Sequence, residues 1–94
     1  MRTPTILATI LLTLPAALHA EAPERRTATF AVHCYDVGRA TLTGLPGVVA
    51  VESGWRGGHE INVVRYDPAQ VSPARLEEAL RRAGTWVDTL PATP

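Results

Sequence analysis

A single cysteine, Cys34, stands in a chain of 94 residues, so no internal disulfide can hold the fold together. Small extracellular domains often depend on such staples because their cores are thin. A chain without one must build its core from layered secondary structure, and the sequence is punctuated to do so. Thr27 to Val32 alternates Ala28, Phe30 and Val32 against threonines and Ala31, the period of a half-buried strand. Val37 to Leu45 predicts a first helix, with Gly38 as a liability, and Pro46-Gly47 ends it. Val48 to Glu52 predicts a second strand, Gly54 to Gly58 a turn, and His59 to Tyr66 a third strand. Asp67-Pro68 ends that strand, and Ser72-Pro73 supplies an N-cap hydroxyl followed by proline at the first helical position. Leu76, Ala79, Leu80 and Ala83 share one face of this second helix, Gly84 is its stop, and Thr85 to Leu90 predicts a fourth strand.

The order βαββαβ predicts an α+β, ferredoxin-like sandwich, a four-stranded antiparallel sheet with two helices on one face. In that arrangement the third strand lies between the first and second. Cys34, Trp55, Arg56, His59 and Glu60 then fall at one end of the sheet, with Thr85 and Trp86 nearby.

The N-terminus has a different character. Arg2 precedes an uncharged apolar run, Ile6 to Leu18, and Leu18-His19-Ala20 ends in a small residue before Glu21. A permanent membrane span needs about 20 apolar residues, so the run is too short and reads as a signal peptide over residues 1–20. Cleavage near Ala20 predicts a periplasmic or secreted product. Residues 21–26 then form a flexible leader, 27–90 the domain and 91–94 a tail. The chain contains no lysine, and its arginines are scattered, with no basic face interleaved with aromatics. Nucleic acid is therefore not an expected partner.

In an oxidising compartment a lone thiol is buried and inert, a metal ligand, or reactive. A helix beginning near Asp36 would turn unsatisfied N–H groups toward Cys34 and favour its thiolate, with Asp36 opposing; a thiol tucked under the helix is the alternative. Glu60, beside that thiol, is a candidate proton donor or a solvated strand residue. His33 and His59 could join Cys34 around zinc or copper or stand exposed. Trp55 and Tyr35 are candidate binding rings or core caps.

Ala28 to Val48, with Cys34 at the head of a helix and a Leu45-Pro46-Gly47-Val48 end, resembles the start of the peptide-methionine (S)-S-oxide reductase (MsrA-type) family. Gly54-Trp55-Arg56-Gly57-Gly58 is similar to its G-Y-x-G-G turn. Glu60 stands where its acid does, six residues before Tyr66 of Tyr66-Asp67-Pro68, and Val71-Ser72 and Leu76 continue the match. The resemblance implies Cys34 as nucleophile, Glu60 as proton donor and Tyr35 and Trp55 at the substrate, an oxidised methionine in a protein or peptide. It implies no cofactor, but an external thiol reductant such as a thioredoxin-like protein. The chain departs from the pattern at Asp36, where the family carries tryptophan. It also lacks the loop between turn and acid that supplies a tyrosine, and the C-terminal portion with its resolving cysteine. The resemblance therefore implies a truncated site of reduced or lost activity.

Leu45 to Val48, Tyr66 to Pro68, Val71-Ser72 and Leu80 to Trp86 are also similar to heavy-metal-associated domains. Cys34 matches the second cysteine of their C-x-x-C, and Ala31 occupies the first. That resemblance implies a degenerate metal site of Cys34, His33 and His59. A non-catalytic interaction module is the third expectation.

Overall fold

The computed structural model describes residues 24–91; residues 1–20, read above as a signal peptide, lie outside them. The elements are β1 (Arg26–Val32), α1 (Tyr35–Thr43), β2 (Val48–Arg56), β3 (His59–Tyr66), α2 (Pro73–Arg82) and β4 (Trp86–Leu90). They form one antiparallel four-stranded sheet in the order β2-β3-β1-β4, the ferredoxin-like arrangement that the βαββαβ order predicts. No helix among the described residues is long and apolar enough to cross a membrane.

Phe30 and Val32 of β1, Val51 of β2 and Val64 and Tyr66 of β3 meet Leu42 of α1 and Val71, Leu76 and Leu80 from the α2 side in one core. Phe30, Leu42, Val64, Leu76 and Leu80 are fully buried. Full burial of such side chains contributes on the order of 1.5–3 kcal/mol each, and in a chain without disulfides this cluster is the main source of stability. Ala79 is buried as its helical spacing predicts, whereas Ala83 is the exposed C-cap.

Both ends of α2 follow their sequence signals. Ser72 Oγ accepts the Arg75 N–H at 3.1 Å, ahead of Pro73. At the other end Gly84 takes φ 75, a left-handed conformation that costs a residue without Cβ little. The Gly84 N–H donates to the Arg81 carbonyl and the Thr85 N–H to the Leu80 carbonyl, at 3.0 and 3.1 Å. That pair of bonds is the Schellman closure of a helix, and it delivers Thr85 to the start of β4. Across α2 and β4, Thr89 Oγ1 donates to Glu77 at 2.6 Å and accepts the Trp86 indole N–H at 3.0 Å. The Arg81 guanidinium lies 3.8 Å from the Trp86 ring centroid and bonds Glu77 as well.

The structure corrects three boundaries. α1 begins at Tyr35 and ends at Thr43, two residues earlier at each end than the apolar spacing predicts. The reason lies outside the helix: an acceptor from β3 takes its first N–H, as described below. β2 runs on through Gly54, Trp55 and Arg56, so these residues are strand and only Gly57-Gly58 form the turn. Their partners Ile61, Glu60 and His59 on β3 continue the ladder to the end of the hairpin. Arg26, assigned to the leader, is the first residue of β1.

Gly38 is not a liability. It is a buried residue of α1 facing β3, and a Cβ built there would collide with the Asn62 side chain and touch Leu80. Overpacking of this kind costs about 1–3 kcal/mol, against about 1 kcal/mol gained when alanine replaces glycine in a helix. Gly38→Ala is therefore expected to lower stability in denaturant unfolding, although it improves helix propensity.

The Glu77 contact gives a pH signature. Hydrogen bonding from Thr89, then from Arg81, holds the Glu77 carboxyl below its ordinary 4.5. A carboxyl lowered in the folded state lends stability above its ordinary value and loses it as pH falls through the lower folded value. Thr89→Val should therefore lower the melting temperature at neutral pH, with the gap from the parent narrowing in acid; thermal unfolding across that range measures it.

Candidate functional site

Cys34 is the N-cap of α1, with extended backbone (φ −141, ψ 113) and a half-buried side chain. Two elements distant in sequence fix it. The hydroxyl of Thr85 accepts the Cys34 N–H at 2.9 Å and donates to the Cys34 carbonyl at 3.2 Å. One residue earlier, the His33 N–H donates to the Thr85 carbonyl at 2.7 Å. Thr85 is 2% exposed, so its end of these bonds is shielded from water, while Cys34 is half-buried.

The first N–H of α1, that of Tyr35, donates to Glu60 Oε1 at 2.9 Å. The helix N-terminus, where N–H groups converge and the dipole is positive, is therefore met by the Glu60 carboxyl. The Cys34 side chain makes no capping hydrogen bond, so the expectation that its sulfur takes up the helix N–H groups is not met in that form. Asn62 Nδ2 donates to the Tyr35 carbonyl at 3.1 Å, anchoring the same turn from β3. Asn62 is fully buried, and its Oδ1, turned toward Gly38, has no hydrogen-bond partner.

Tyr35 meets Trp55 edge to face, with ring centroids 6.1 Å apart and planes at 77°, a geometry aromatic quadrupoles favour. Trp55 is nevertheless 64% exposed. It pairs directly with Glu60 across the β2–β3 ladder, so the indole and the carboxyl project from the same sheet face. A shallow depression of about 350 Å³ at this end is lined by Val32, His33, Trp55, Gly58, His59, Glu60 and Val87. Cys34 is not among its lining residues, although its chain neighbour His33 is.

The residues predicted for the site thus fall into two groups. Cys34, Tyr35, Glu60 and Trp55 are linked through α1's first turn, and His33 and His59 line the neighbouring depression with Glu60 and Trp55. Among the described residues, no three of His, Cys, Asp and Glu come together as a set that could hold a metal ion; the trio Cys34, His33 and His59 is not such a cluster. The sequence pattern does not reveal the positioning roles of two residues. Thr85 was expected near Cys34 only as a strand start, and Asn62 had no signal beyond being a polar residue inside an apolar strand. No family model, curated protein or solved structure matches this chain.

The clamp on Cys34 is directly testable. Thr85→Val keeps the shape but leaves the half-buried Cys34 N–H without its acceptor, a loss of about 1 kcal/mol. Thr85→Ser retains the hydroxyl and should recover most of it. Equilibrium unfolding of the two variants distinguishes a hydrogen-bonding role from a packing role.

Proposed function

We propose that this protein is an exported thiol protein of the peptide-methionine (S)-S-oxide reductase kind, with Cys34 as nucleophile and Glu60 as proton donor. The observation that carries the reading is the hydrogen bond from the Tyr35 N–H to Glu60 at 2.9 Å. It ties a β3 carboxyl to the residue that follows the one cysteine, beside an exposed indole backed by the Tyr35 ring. A thiol, an acid and an aromatic surface are the three things the reaction requires: an attacking sulfur, a proton for the sulfoxide oxygen, and an apolar contact for the methionine methyl.

The chemistry balances with one external reductant. Cys34 thiolate attacks the sulfoxide sulfur while Glu60 supplies a proton to the oxygen. The oxygen passes to Cys34, leaving methionine, a sulfenic acid and the Glu60 carboxylate. Two thiols of a thioredoxin-like protein then reduce the sulfenic acid to the thiol, releasing water and a disulfide. No second cysteine is present to resolve the intermediate, so the reductant attacks it directly. Glu60 Oε1 accepts from Tyr35, a role a carboxyl fills in either protonation state, and the other oxygen is left to carry the proton. In this reading residues 1–20 direct export, to the periplasm or as a secreted product, and oxidised methionines in proteins or peptides are the substrates.

The purified protein, incubated with a methionine-(S)-sulfoxide peptide and no reductant, should form one sulfenic acid at Cys34 and an equal amount of methionine. Glu60→Gln keeps an acceptor for Tyr35 and should remain folded, yet slow the step by about 10²–10⁴-fold, the usual contribution of a positioned acid. Absence of sulfoxide-dependent oxidation at Cys34, measured by trapping and mass spectrometry, would remove the reductase reading.

A further inference from the structure

The two edges of the sheet are unequal. β4 is five residues long, pairs with β1 through an irregularity at Ala31/Val32 and is followed at once by Pro91. Short length, irregular pairing and proline are the usual protections of an edge strand. β2 is nine residues long and carries neither proline nor lysine, and its charges, Glu52 and Arg56, cancel. Its one irregularity lies near its start, between Val48 and Ala50. Val49 and Trp55, two of the three large hydrophobic residues exposed among the described residues, also lie on β2.

The backbone of β2 dictates how such an edge pairs. Arg56 and His59 flank the two-residue Gly57-Gly58 turn, and in such hairpins the flanking residues form a hydrogen-bonded pair. By the alternation of an antiparallel ladder, Glu52, Gly54 and Arg56 direct their backbone groups to β3, and Val51, Ser53 and Trp55 direct theirs to the free edge. Two copies joined antiparallel through this edge can therefore meet only in registers whose two-fold axis passes through a residue. Centred on Glu52, the axis sets like charges opposite each other; centred on Ser53, it sets Glu52 against glycine. Centred on Gly54, it sets Glu52 against Arg56 of the partner subunit, twice. Ser53 then forms the hydrogen-bonded pair with Trp55 of the partner subunit.

We propose that β2 is a dimerisation edge on which a second copy of this chain pairs antiparallel about Gly54, held by two reciprocal Glu52–Arg56 ion pairs. The result is one eight-stranded sheet with the helices of both protomers on the same face. Glu52, Gly54 and Arg56 lie on the opposite face, where Gly54 leaves the two strands free to approach. The exposed Trp55 gains a neighbour, Ser53 of the partner subunit, on the helix-bearing face. The proposed edge does not rest on the sulfoxide chemistry, although Trp55 belongs to both, and its test does not read activity.

Sedimentation velocity of the purified chain under reductant, which excludes a Cys34 disulfide, should show a concentration-dependent dimer. Glu52→Arg and Arg56→Glu should each weaken association by about tenfold, as two cross-strand attractions become repulsions. The double variant Glu52→Arg/Arg56→Glu should restore it. In a Cys34→Ser background, Gly54→Cys should oxidise to a covalent dimer, because Cα atoms of a non-hydrogen-bonded pair are about 4.5 Å apart, within disulfide reach. Val49→Cys should not, since in this register Glu52 already faces Arg56 of the partner subunit, the last residue of that strand, and Val49 lies past its end with no residue opposite. A chain that stays monomeric at every concentration overturns the proposal, as does a dimer indifferent to both single charge reversals.

Discussion

The junction between β1 and α1 is held from outside, and the geometry around Cys34 depends on it. Thr85 closes both backbone groups of Cys34, and Glu60 takes the first N–H of the helix. Neither partner is local: one belongs to the turn after α2, the other to β3. A nine-residue helix with a glycine in its second turn is too short to be stable alone in water. Its position is therefore a tertiary property, written by Thr85, Glu60 and Asn62 rather than by its own residues. The chain of causes runs back to Gly84, whose left-handed conformation ends α2 and sets Thr85 where it can reach Cys34.

This dependence explains which features can be read from the sequence. The sheet order, the whole of β3 and the capped start of α2 follow from period-two alternation, Asp67-Pro68 and Ser72-Pro73, signals contained within a few residues. The start of α1 does not follow, because its cap comes from Glu60, 25 residues on in the chain. Gly38 illustrates the same point: its cost to helix propensity is local, whereas the Asn62 side chain that forbids a larger residue is on another element. From sequence alone Trp55 reads as part of a turn, because Gly54 precedes it and Gly57-Gly58 follow. The ladder with β3 holds it in a strand instead, and that placement fixes the face from which its ring projects.

The site is legible to the same degree. Its members were identified by residue type, and topology brings Cys34, Glu60, Tyr35 and Trp55 to one end of the sheet as the βαββαβ order requires. What the order does not specify is their bonding. Glu60 engages the helix amide while the Cys34 side chain does not, so the electropositive helix end is shared between the junction residue and a strand carboxyl in a way no linear motif records. Asn62 is similar, since a fully buried amide in an apolar strand becomes intelligible only once the Tyr35 carbonyl is seen beside it.

In the proposed reaction Glu60 would be both a structural and a chemical group, and the two duties would bear on different atoms. The cap requires an acceptor at Oε1; the chemistry requires a proton on the carboxyl. An amide satisfies the first and not the second, while a methyl satisfies neither. Loss of activity with Glu60→Ala alone would therefore confound a collapsed helix start with a missing proton. The comparison between Gln and Ala at this position separates them, because only the cap depends on the acceptor. The same reasoning applies to Thr85, whose hydroxyl holds both backbone groups of Cys34. A fold of this size has few residues to spare, and at this end of the sheet the groups that set the helix in place are those that bound what its cysteine can do.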